Sequence, residues 1–109
     1  MSNVTNVKPK RMGDVTRPVL YEEISKRVRA DDYLDTDFTI KEFGIIEGTD
    51  FNLISILAVN SDGEVFVIDT TSHVIEDKLK NANELGVLPI LAKVIRVKSK
   101  SKFWYFDLV

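Results

Sequence analysis

The chain has 109 residues, room for a single domain, and its 44% hydrophobic share supports a modest core. It has no cysteine, which excludes disulfides and thiolate metal sites and fits a reducing compartment. No long apolar run opens the chain, so neither a secretory signal nor a membrane span is expected, and the expected location is cytoplasmic.

Residues 1–17 are polar, slightly basic through Lys8, Lys10, Arg11 and Arg17, and read as a disordered arm. Pro18 suits the first position of a helix. Leu20, Ile24 and Val28 follow at spacing four, so a short N-terminal helix with a linker is expected over 18–36. That stripe can pack on the rest of the domain or support a homo-oligomer.

From Phe38 the period becomes strand-like. A first strand is predicted over 37–47, with a bend or bulge at Gly44. A second, rich in Leu, Ile and Val, covers 51–60. The turn cluster Asn60-Ser61-Asp62-Gly63 leads to a third over 64–70 and makes the two a hairpin. Thr71 or Ser72 then caps a helix whose apolar face is Ile75, Leu79 and Ala82, and Gly86 stops it. Strands over 89–98 and 102–109 follow, joined by Lys98-Ser99-Lys100-Ser101-Lys102. The order β-β-β-α-β-β is all-β with one helix, the element order of the OB-fold, a five-stranded Greek-key barrel. The barrel is assigned to 37–109, preceded by the short helix.

Four stretches carry a family resemblance: Tyr33-Leu34 leading into Asp37-Phe38-Thr39-Ile40-Lys41-Glu42-Phe43, Asn60-Ser61-Asp62-Gly63-Glu64, Thr71-Ser72-His73-Val74-Ile75, and Leu88-Pro89-Ile90 through Phe103-Trp104-Tyr105-Phe106-Asp107-Leu108. In these the chain resembles the small OB-fold single-stranded-DNA-binding proteins of bacteriophages and mobile elements. The resemblance implies a bacterial host cell, replication or recombination proteins as partners, and single-stranded DNA as ligand. Many members carry an acidic C-terminal tail that recruits partners. This sequence ends at Val109 with its last strand, so recruitment of that kind is not expected.

The residues point to nucleic acid on their own account. Net charge is −2, yet Lys93, Arg96, Lys98, Lys100 and Lys102 follow one another with no acid between them. The acids gather elsewhere: Asp31, Asp32, Asp35 and Asp37 before the first strand, and Glu76, Asp77 and Glu84 on the helix. Cations can track phosphates while flat rings stack on bases. Phe103 to Phe106 directly follow the lysines. Asp107 shares a strand face with Phe103 and Tyr105, which reads as the outer face. Trp104, Phe106 and Leu108 are then expected in the core, with Phe103 and Tyr105 open to a ligand. On the first strand Lys41 and Phe43 share one face, a phosphate-plus-stacking pair if that face is outward. Phe66 on the third strand is a further stacking candidate.

No catalytic constellation is found. His73 is the only histidine and has no triad partners in sequence. Zinc would lack cysteines and a second histidine, and the five glycines form no phosphate-cradling loop. The aspartates of 31–37 lack the glycine and distal glutamate of a calcium loop. No cofactor is expected. The sequence-tolerant binder of single-stranded DNA stands against one alternative, a structural or protein–protein adaptor on the same barrel.

Overall fold

A computed structural model of the protein describes residues 20–109. The expected arm and the first two residues of the expected N-terminal helix lie outside them. The elements are β1 (Arg27–Arg29), a single 3-10 turn (Ala30–Asp32), β2 (Asp37–Ile46), β3 (Leu53–Val59), β4 (Val65–Thr70), α1 (His73–Glu84), β5 (Ile90–Lys98) and β6 (Trp104–Leu108). Six strands form one sheet in the order β1-β4-β3-β2-β5-β6. The fold is therefore mostly β with one helix, as expected, but with six strands instead of five.

The extra strand replaces the expected N-terminal helix. Arg27–Arg29 runs parallel to β4 at the sheet edge, and the residues before it form a bend and turns. Helix propensity is a weak prior that tertiary contacts override. Here the override is Arg27. Its guanidinium forks onto Asp69 (3.0 and 2.8 Å), reaches Ser55 Oγ at 3.4 Å, and donates to the carbonyls of Leu20 (2.7 Å) and Tyr21 (3.2 Å). Extended backbone lets one side chain clip the 20–27 segment to two strands.

That segment lies on the outer face of β2, β3 and β4. Ser55 and Val67 point outward, yet both are fully buried there. Leu20 packs on Gly44, where an added Cβ would come within 2.5 Å of Leu20 Cδ1. Gly44 thus makes room for a neighbour and does not supply the bend. The register shift in β2 falls between Ile40 and Glu42, at Lys41. It turns the strand over: Phe38 and Ile40 face the core before it, Phe43 and Ile45 after it.

The core fills the inner face. Phe38, Ile40, Ile54, Ile56, Ala58, Phe66, Ile68, Ala92, Val94 and Leu108 come from the strands, and Ile75 and Leu79 from α1. Tyr33, just after the 3-10 turn, sits 5.9 Å from the Phe38 ring and 4.8 Å from that of Phe66. Leu34 bridges to Val94 of β5, so residues 27–34 cross from the β4 edge to β5 beneath the core.

Local chemistry sets the helix and turns where the sequence puts them. Ser72 caps α1, accepting from the Ile75 N–H (3.2 Å) while its hydroxyl donates to the Phe106 carbonyl (2.8 Å). The helix ends at Gly86 (φ +67°), with Val87 N–H on the Ala82 carbonyl and Gly86 N–H on that of Asn83.

Candidate nucleic-acid interface

β5 changes partner halfway along. Ile90–Lys93 pairs with β2, and Val94–Lys98 pairs with β6. Beyond Val94 the β5–β6 hairpin therefore runs past the floor of the sheet. Val94, Arg96 and Lys98 share a face with Leu108, Phe106 and Trp104, their partners across the ladder. Along that face burial falls away: Leu108 is buried, Phe106 packs at the core margin, and Trp104 is 54% exposed.

Trp104 is thus not in the core, contrary to the sequence-based expectation. The error came from Asp107. Its carboxylate does not face water; it meets Lys78 of α1 at 2.8 Å and is only 17% exposed. The face that carries it lies toward α1, and Tyr105 on that face is half-buried. Trp104 was the missed site residue. A signal for it lay in the loop: a turn closing Ser99 on Phe103 sets Lys98 opposite Trp104.

The side chains around Trp104 are cationic. The Arg96 guanidinium carbon lies 4.6 Å from its ring centroid and Lys98 Nζ 5.7 Å. Such contacts are worth about 0.5–1 kcal/mol each when exposed. Phe103, 74% exposed, stands beside it at the tip with Lys100 and Lys102.

Charge pairing separates this hairpin from the rest. Lys26 pairs with Glu64, Arg27 with Asp69, Arg29 with Asp31, Lys78 with Asp107, Lys80 with Glu76 and Lys93 with Asp37. The described lysines and arginines with no ion-pair partner among the described residues are Lys41, Arg96, Lys98, Lys100 and Lys102. Four of those five lie on one hairpin.

The remaining sequence candidates are not brought to this place. Lys93 lies on the opposite face of β5 from Arg96, 3.7 Å from Asp37. Lys41 is exposed at the β2 bulge, next to the start of β5, and Phe43 is half-buried against the core, so the two do not form an outward pair. Phe66 is 0% exposed and cannot stack on a base. His73 is exposed at the start of α1. No group of metal-ligating side chains and no helix able to span a membrane occurs among the described residues.

The hairpin tip also holds a strained residue. Asn60-to-Glu64 and Ser99-to-Phe103 close with the same hydrogen bonds: N–H of the first to C=O of the fifth, and N–H of the fourth to C=O of the first. The side chain of the first residue accepts from the fifth N–H in both turns. The fourth residue takes a positive φ in each, Gly63 at +83° and Lys102 at +71°. A non-glycine residue costs about 1–2 kcal/mol there. Lys102→Gly is expected to raise folding stability by about 1 kcal/mol, partly offset by glycine's own entropy cost. It should at the same time weaken binding of any polyanion at the tip. Urea denaturation and a binding titration check the two opposed signs, and a loss of stability would sink this account of the turn.

Comparison of the chain with protein-family models, with curated proteins and with solved structures gave no match.

Proposed function

We propose that the protein binds single-stranded DNA with little sequence preference, through the β5–β6 hairpin, in replication or recombination. The observation that carries this reading is the gathering of Arg96, Lys98, Lys100 and Lys102, all without ion-pair partners among the described residues, on the hairpin that exposes the rings of Trp104 and Phe103. Unpaired cations are available to phosphates, and an open indole face accepts any base.

The strand pairings support the OB reading of the barrel. β2 pairs with both β3 and β5, β3 with β4, and β5 with β6, the connectivity of a Greek-key barrel left open at one seam. OB barrels use the loop between their last two strands to hold oligonucleotides, and that loop here is the basic tip.

Trp104 is the sole tryptophan, so its fluorescence reports on the site directly. Titration with oligo(dT) is expected to quench it, with affinity falling as salt rises. Trp104→Ala should weaken binding of a labelled oligo(dT) by about 1–3 kcal/mol, roughly 5- to 150-fold. Unchanged affinity in that variant would remove the hairpin from the reading. A second reading, a protein–protein adaptor, is favoured by the exposed Leu85 and Val87 after α1 and Ile90 and Leu91 at the start of β5. It predicts no binding of oligo(dT) at any salt.

A further inference from the structure

We infer that each chain grips only a short unpaired tract, about four nucleotides at most. This rests on the single-strand-binding reading above, and it restricts that reading, because it excludes a strand wound around the barrel.

Three observations set the limit. The first is the outer face of β3 and β4, the face on which OB barrels lay an oligonucleotide. Here the 20–27 segment covers its middle: Ser55 and Val67 are fully buried, and Arg27 is locked onto Asp69, leaving Val65 exposed toward the β3–β4 turn. Lys26 at its edge is neutralised by Glu64 at 2.6 Å. The second is the reach of the free cations. From Arg96 to the tip at Lys100 is four residues, the last two in the turn, which span about 13 Å at most at the strand rise of 3.3 Å each. Each nucleotide of a stacked duplex strand advances about 3.4 Å along the helix axis, and more in an extended strand, so about four nucleotides at most span that length. Lys41, the remaining unpaired cation, neighbours the start of β5, about 26 Å from Lys98 at the same rise.

The third is the acid at the hairpin's base. Asp35 is hydrogen-bonded through its N–H to the Val94 carbonyl, two residues before Arg96, with its side chain exposed. Asp37 stands beside Lys93 and Asp107 beside Lys78. A phosphate chain leaving the hairpin toward the barrel would meet the exposed Asp35 carboxylate and two ion pairs whose lysines are already engaged, with no free cation among the described residues there. The favourable ground ends where the hairpin joins the sheet.

The test uses the full chain and 5′-phosphorylated oligo(dT) of four and of twenty nucleotides, so that the shorter one carries four phosphates, read by Trp104 quenching across a salt series. Four cations on a single strand give a slope of log K against log salt of about −2.8. Expected are that slope for both lengths, equal affinity once the number of binding registers is counted, and about five chains per twenty nucleotides at saturation. Lys41→Ala should leave the slope unchanged. A slope steeper than about −4, or a chain occupying eight or more nucleotides, overturns the short-tract inference while leaving single-strand binding intact. No quenching and no labelled-oligonucleotide binding at low salt would remove both.

Discussion

Phe66→Ala is expected to lower folding stability by about 3–5 kcal/mol while leaving the proposed oligo(dT) binding by the folded protein unchanged. Phe66 sits on β4 opposite Ala58, is 0% exposed, and forms an aromatic cluster with Tyr33 at 4.8 Å and Phe38 at 6.4 Å. Truncation removes a large apolar side chain and opens a void that its neighbours, fixed on β2 and after the 3-10 turn, fill only partly. Domains have about 5–15 kcal/mol in hand, so much of the protein's stability goes. Denaturant unfolding gives the stability loss. Phe66→Leu keeps most of the volume and should cost about 1.5 kcal/mol or less, which keeps folded protein in reach for the titration. A drop in affinity of the folded Leu variant comparable to that of Trp104→Ala would restore Phe66 as a ligand-stacking residue.

Arg27→Ala should cost about 2–4 kcal/mol. Breaking a buried ion pair costs about 3–5 kcal/mol; the range is lowered here because the Arg27 and Asp69 side chains retain 22% and 25% exposure. What is lost is not one contact. Asp69 keeps only the Ser55 hydroxyl, which donates to it at 2.6 Å. The carbonyls of Leu20 and Tyr21 lose their donor. Arg27→Lys should recover little, because an ammonium cannot fork onto the carboxylate and reach two carbonyls together. The local consequence is as specific as the global one. The Val67 amide donates to the Lys26 carbonyl at 3.0 Å, so it should exchange faster with solvent in the variant while the β2–β3 amides keep their relative protection. Equal stability of Arg27→Ala and the parent would mean that the 20–27 segment does not hold the outer face of the sheet.

Features decided within a few residues of one another were legible. Ser72 caps α1 because its hydroxyl lies three residues before the N–H it accepts from. Gly86 and Gly63 occupy the two left-handed positions that their helix end and turn require. The alternation of apolar residues placed β2 to β6 to within a few residues. The clustering of cations ahead of two aromatic residues was plain as well, and the four lysines and arginines from Arg96 to Lys102 do share one hairpin.

Long-range questions were not legible. The stripe Leu20, Ile24, Val28 fits a helix, and nothing local reveals that Arg27 has a carboxylate waiting forty-two residues later on β4. Asp107 marks an outer face only if no cation meets it, and Lys78 does so from a helix that is distant in sequence. Phe43 turns inward because one extra residue at Lys41 reverses the strand, and a bulge has no residue type that announces it.

The sequence by itself determined the element order, the caps and turns, and the presence of a basic aromatic hairpin, since those depend on hydrogen bonds and periodicity inside short windows. Only the tertiary structure decided which strand faces are inside, which cations are already neutralised, and that Trp104 stands open while Phe66 is sealed. Those outcomes depend on where one strand runs out beyond its neighbour and on which distant charge lies opposite, and a one-dimensional pattern contains neither quantity.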